Sequence, residues 1–141
     1  MRSSVPALHA LHVALDALPP PHSRQGPALG NWRWTVRQRL AAVRTILVSE
    51  TDRYSASWLQ GPEGDVFRQR GALLERVHSF DALVLQSPEP DVVRRDLMRL
   101  LIDVDNHVFR VGELVAAGAS RTAAAEPAEA TVPPAAAPTL D

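Results

Sequence analysis

Glu50 and His107 are the two ionisable residues of this 141-residue chain that lie squarely on an apolar helical stripe. Val36, Leu40, Val43, Leu47, Glu50 and Tyr54 follow a 4-3-4-3-4 spacing, and so do Val93, Leu97, Leu100, Val104, His107 and Val111. That spacing puts each set on one face of a helix. A carboxylate or imidazole turned towards a core must be paired, neutral or bound to something. His12 and His78 lie beside stripes of their own. Carboxylates and imidazoles on facing helices of a bundle are the groups that build metal sites. They suit iron, zinc or manganese without choosing among them.

Four helices are expected to position these groups. The first spans about 5–18, with Leu8, Leu11, Leu15 and Leu18 as its stripe, and Pro19-Pro20-Pro21 ends it. The second begins near Asn31, a good N-cap, and runs towards Leu59. The third covers about 65–86, with Gly71 inside it as a point of close helix approach. The fourth covers about 91–117, with Asp91, Arg95, Arg99 and Asp103 at four-residue steps as a ladder of ion pairs. Short loops between such helices imply an all-α, up-down-up-down four-helix bundle over residues 1–118. From Gly118 onward the chain turns to Ala, Pro, Glu and Thr without apolar periodicity, so 119–141 is expected to be a disordered tail.

Depth along the bundle tests whether the four polar residues converge. At 1.5 Å per residue, Glu50 and His107 fall at similar depth, and His12 and His78 lie about 10 Å away from them. One cluster or two layers are both open on this count.

The order of these residues resembles the hemerythrin-like (HHE) bundle family over residues 5–117. That resemblance implies a di-iron centre that binds or senses dioxygen. Its pattern is a His on helix one, His-x-x-x-Glu on helix two, a His on helix three and His-x-x-x-Glu/Asp on helix four. His12, Glu50, His78 and His107 match in order, and on the resemblance they are the metal ligands. Ile46 stands where the helix-two His would be, and Val111 where the helix-four carboxylate would be. The chain is also similar, over Trp32–Leu47 and Leu73–Leu114, to small helical proteins of actinobacteria.

Each residue also has a plainer reading. His107 can be a neutral core histidine with one hydrogen bond. Asp103 can orient it or pair with Arg99 in water. Glu50 can meet Arg44, Arg53 or another arginine. Arg33, Arg37 and Arg44 share a face of helix two and read as solvated. Trp32 and Trp34 point about 200° apart on one helix, so one of them is semi-exposed and suits an interface anchor.

Composition excludes several classes. All fifteen basic residues are Arg, which with abundant Ala and Pro suggests a GC-rich bacterial genome. A net charge of −1 gives no field to draw nucleic acid or an anionic membrane. Cysteine is absent, so there are no disulfides, thiolate sites or cysteine nucleophiles. Val5–Leu18 is interrupted by His9, His12 and Asp16, and no run reaches the roughly 18 apolar residues of a membrane span. A cytoplasmic location is expected. No phosphate-binding loop, dinucleotide fingerprint or His-Glu-x-x-His is present, so no enzyme is expected. The residues taken together predict a non-catalytic bundle without a cofactor. It would act through a protein partner or as a homo-oligomer, with Trp32 and Trp34 as interface candidates. The alternative is a hemerythrin-like iron protein with an incomplete ligand set.

Overall fold

The computed structural model describes the backbone of residues 5–50 and 62–130, and the side chains of 5–50 and 64–118. Among the described residues the regular elements are all helical: α1 (Pro6–Asp16), α2 (Pro27–Ser49), α3 (Pro62–Gln86) and α4 (Pro90–Ala130), with a 3-10 turn at Pro21–Ser23 between α1 and α2. They form the up-down-up-down bundle. Arg33 on α2 reaches Leu85 and Ser87 while Arg70 on α3 reaches Leu47, so these two run antiparallel. Arg76–Asp103 and Gln69–His107 do the same for α3 and α4. α1 packs on both α2 and α4 and closes the ring.

All four α-helices open on proline. The first turn leaves its amides unbonded in any case, so a residue with no N–H and a helical φ costs nothing there. This corrects the start of α2. Gly26 is its N-cap and Pro27 its first residue, so Asn31 lies inside the helix rather than at its cap. The expected stretch of helix two from 51 to Leu59 lies outside the described residues, and Tyr54, Trp58 and Arg53 with it. Helical backbone continues in α4 to Ala130, across the first part of the segment expected to be a tail. Alanine, the best helix former, supplies six of its twelve residues from 119 to 130.

The apolar stripes meet in one core of Leu8, Leu11 and Leu15 from α1, Val36, Leu40, Val43 and Leu47 from α2, Leu73, Val77 and Val84 from α3, and Val93, Leu97, Leu100 and Val104 from α4. α1, at 11 residues, is about 16 Å long and can line only part of α4. A separate small cluster of Val66, Val111 and Leu114 joins α3 to α4.

Arginines from neighbouring helices close the helix ends. A helix leaves its last carbonyls without internal partners. Arg94 of α4 donates to the Leu15 carbonyl at the end of α1, at 3.0 Å. Arg70 donates to the Leu47 carbonyl near the end of α2, at 2.6 Å. Arg33 donates to the carbonyls of Leu85 and Ser87 at the end of α3, both at 2.7 Å. A guanidinium presents several N–H groups in a fixed fork and can hold two carbonyls at once. Arg33 is therefore a cap and not part of a solvated face. Arg24 grips Asp91 at 2.6 and 3.0 Å, tying the α1–α2 loop to the first turn of α4. That hydrogen bond holds the Asp91 carboxyl below its ordinary range. Its stabilising share is present at neutral pH and fades as the pH falls through the lowered value.

The expected ladder along α4 does not form, and two of its members bond other elements instead. Asp91 pairs with Arg24 and Asp103 with Arg76, while Arg95 turns to Asp96. Gly71 is exposed, and a Cβ built on it meets nothing within 4 Å, so it serves no close approach. The same is true of Gly112. Gly71→Ala and Gly112→Ala are each expected to raise unfolding free energy by about 0.5–1 kcal/mol. Urea denaturation checks this; a loss of stability in either variant would show that the glycine is needed where it stands.

Candidate functional site

Glu50 is the C-cap residue of α2 and is 1% exposed. A carboxylate there opposes the helix dipole, whose negative end is the C-terminus. The compensation comes from α4, where His107 is equally buried. Its Nε2 lies 2.7 Å from Glu50 Oε2. Its Nδ1 lies 2.8 Å from Gln69 Oε1 on α3. Both imidazole nitrogens thus face oxygen acceptors. With Gln69 in this orientation the ring donates through both N–H groups; turning the amide over would let Gln69 donate to Nδ1 instead. Arg70, next to Gln69, donates to the Leu47 carbonyl one turn before Glu50. One stretch of α3 therefore serves the joint twice, and three helices are fastened at a single level.

The other two expected ligands stand apart. His12 is half-exposed on α1 and pairs with Asp16 at 3.3 Å. His78 is 81% exposed on α3, with its Nδ1 3.8 Å from Asp81. Asp103 orients neither histidine and does not meet Arg99; it accepts from Arg76 at 2.7 Å. Arg44 bonds Asp81 rather than Glu50, at 3.3 Å. The four do not form one cluster: Glu50 and His107 meet, while His12 and His78 stand apart at the surface. Among the described residues no three His, Cys, Asp or Glu side chains gather as metal ligands do.

Trp32 and Trp34 separate as two residues on one helix must. Trp32 is 5% exposed, and its indole N–H donates to the Ala14 carbonyl at 2.9 Å. It is a core residue that ties α2 to α1, and not an interface residue. Trp34 is 56% exposed. It borders an open cleft of about 320 Å³ between α2 and α3, lined also by Arg37, Gln38, Ala41, Arg44 and Asp81. Across the Trp32 side, a second cleft of about 330 Å³ between α1 and α2 is lined by small residues such as Ala14, Ala17 and Ala28.

Sequence reasoning missed two contributors to the joint and one buried acid outside it. Gln69 and Arg70 carry no periodic signal, since a polar residue beside a helical stripe looks like any solvated one. Asp105 is 3% exposed although it sits off the apolar stripe of α4. It is about 200° around the helix from His107 and so faces a different side.

Comparison with protein-family models, curated proteins and solved structures gives no match for this chain. The hemerythrin-like resemblance rests on the order of residues and elements alone. The donor set fits a di-iron centre poorly. Glu50 and His107 meet, but both ring nitrogens of His107 already have oxygen partners and the remaining histidines lie at the surface.

The buried pair is expected to behave as a fastening. Glu50→Ala or His107→Ala should each cost about 3–5 kcal/mol, because each leaves a buried polar partner uncompensated. The double change Glu50→Leu with His107→Leu should recover part of that loss. Chemical denaturation of the three variants decides it. Single variants as stable as the parent chain would mean that the pair fastens nothing.

Proposed function

We propose that this chain is a non-catalytic helical-bundle protein that works by binding another protein chain, through the outward face of α2 around Trp34. The observation that carries this reading is Trp34 itself, 56% exposed beside an open cleft on a helix whose other tryptophan is fully used in the core. Exposed tryptophans with arginine neighbours are the residues that most often anchor protein contacts. Among the described residues Glu50 and His107 are each about 1% exposed and face one another, which supports a structural use of the pair. No described helix is long and apolar enough to cross a membrane. A cytoplasmic role is part of the proposal, as is the absence of nucleic-acid binding, which the net charge of −1 supports.

A hemerythrin-like metal-binding role is the second reading. The contact of Glu50 with His107 favours it. The engaged ring nitrogens and the distant His12 and His78 weigh against it.

The two tryptophans give the test. Trp34→Ala should weaken association, with a second copy or with a purified partner, by about tenfold or more while far-ultraviolet dichroism stays unchanged. Trp32→Ala should instead cost about 3–5 kcal/mol of stability. Sedimentation velocity and denaturation separate the effects. A monomeric chain whose retained proteins are unaltered by Trp34→Ala would reject the proposal.

A further inference from the structure

The outward face of α2 has a regular pattern. Trp34, Ala41 and Val48 follow one another at seven-residue intervals, with Gln38 and Thr45 between them. At 3.6 residues per turn these five form one strip about 21 Å long. Trp34 and Val48 are more than half exposed, and Ala41 forms a notch between them. The strip carries no charge. The Thr45 hydroxyl donates to the Ala41 carbonyl at 3.1 Å, and Ser49 donates to Ile46 at 2.9 Å. These hydroxyls lose little when water leaves, because their donors are already satisfied within the helix.

One flank of the strip is cationic. Arg37 and Arg44 are also seven residues apart, on the side that faces α3. Arg44 is engaged by Asp81. Arg37 is half-buried and makes no hydrogen bond or ion pair among the described residues. α2 as a whole holds four arginines and no acidic residue. Asp81, the acidic residue lining the same cleft, bonds Arg44 and not Arg37, so a carboxylate arriving from outside would meet an unengaged guanidinium.

We propose that this strip docks an amphipathic helix of a partner protein, with apolar residues at three- and four-residue spacing and glutamate or aspartate along the edge that meets Arg37 and Arg44. This rests on the protein-contact reading above and names the partner's chemistry. A straight strip of seven-residue repeats matches one face of a helix, and the Ala41 notch lets the two backbones approach. A second copy of this chain fits less well. Antiparallel pairing of α2 on α2 about a two-fold axis sets the arginine flank of one against the same flank of the other. Parallel pairing sets it against Asn31, Thr35 and Ala42. α2 supplies no carboxylate in either case. Nucleic acid is also disfavoured, since Arg33 is spent on the end of α3 and Arg44 on Asp81.

Two labelled 21-residue helical peptides test the inference by fluorescence anisotropy against the full chain. Both carry leucine at heptad contact positions; one has glutamate at the flanking positions and the other lysine. The glutamate peptide should bind. Trp34→Ala and Arg37→Glu should each weaken it about tenfold or more, and the lysine peptide should bind Arg37→Glu better than the parent chain. Arg39→Glu, outside the strip, should leave binding of the glutamate peptide within about twofold. Equal binding of both peptides, or no effect of Arg37→Glu, would overturn the acidic-helix assignment. So would a duplex DNA of about 20 base pairs that binds and is lost on Arg37→Glu. A dimer that dissolves on Trp34→Ala while neither peptide binds would also overturn it, and would leave the protein-contact reading standing with a second copy as the partner.

Discussion

A carboxylate buried at the C-terminal end of a helix is the constraint on which the joint of this bundle depends. Glu50 is shut away from water and sits where the α2 dipole is negative, so both solvation and the helix oppose its charge. A donor brought in from another helix answers both. His107 supplies it at 2.7 Å, and Gln69 holds the other side of the ring at 2.8 Å. Apolar packing alone lets helices slide by a turn at modest cost, because leucines and valines are interchangeable knobs. A hydrogen-bonded pair is not interchangeable. It sets the axial register of α2, α3 and α4, and with it the level at which the arginine caps find their carbonyls. Buried polar groups used to fix register in this way are well attested in helical assemblies.

The caps extend the same logic to the helix ends. Arg94, Arg70 and Arg33 each reach across from one helix to the terminal carbonyls of another. The α1–α2 and α3–α4 connections carry prolines, and proline starts each helix without wasting an amide. Exposed positions are then left with little structural duty. Trp34 is the conspicuous case, because a large apolar side chain in water stabilises nothing in the isolated bundle. Fixed register beneath it keeps the α2 face rigid, which is the condition for a preorganised contact surface.

The four helices were legible because their stripes repeat at three and four residues over several turns. The similar depth of Glu50 and His107 was legible too, from counting 1.5 Å per residue along facing helices, though not their contact. Pairwise polar partners were not. Periodicity says that Asp103 lies outside the core but not whether it meets Arg99, His107 or Arg76. It groups Arg33 with Arg37 and Arg44, although angular differences of only about 20–40° make the first a cap, pair the last with Asp81 and leave Arg37 without either. Asn31 looked like the N-cap of α2 because its side chain caps well, yet the observed N-cap is Gly26 and the helix begins at Pro27. His12 and His78 matched an order of ligands, but order along a chain does not fix which way a side chain turns at a stripe's edge.

The claim that Glu50 and His107 fasten the bundle, rather than hold a metal, is tested most directly at the imidazole. Long-range ¹⁵N–¹H correlation of the histidine rings, recorded with and without added Zn²⁺, reads the state of each nitrogen. The account predicts that His107 Nε2 carries a proton sheltered from exchange with water, and that stoichiometric Zn²⁺ leaves its signals in place. A His107 ring with no sheltered proton, whose nitrogen signals move on one equivalent of Zn²⁺, would contradict it.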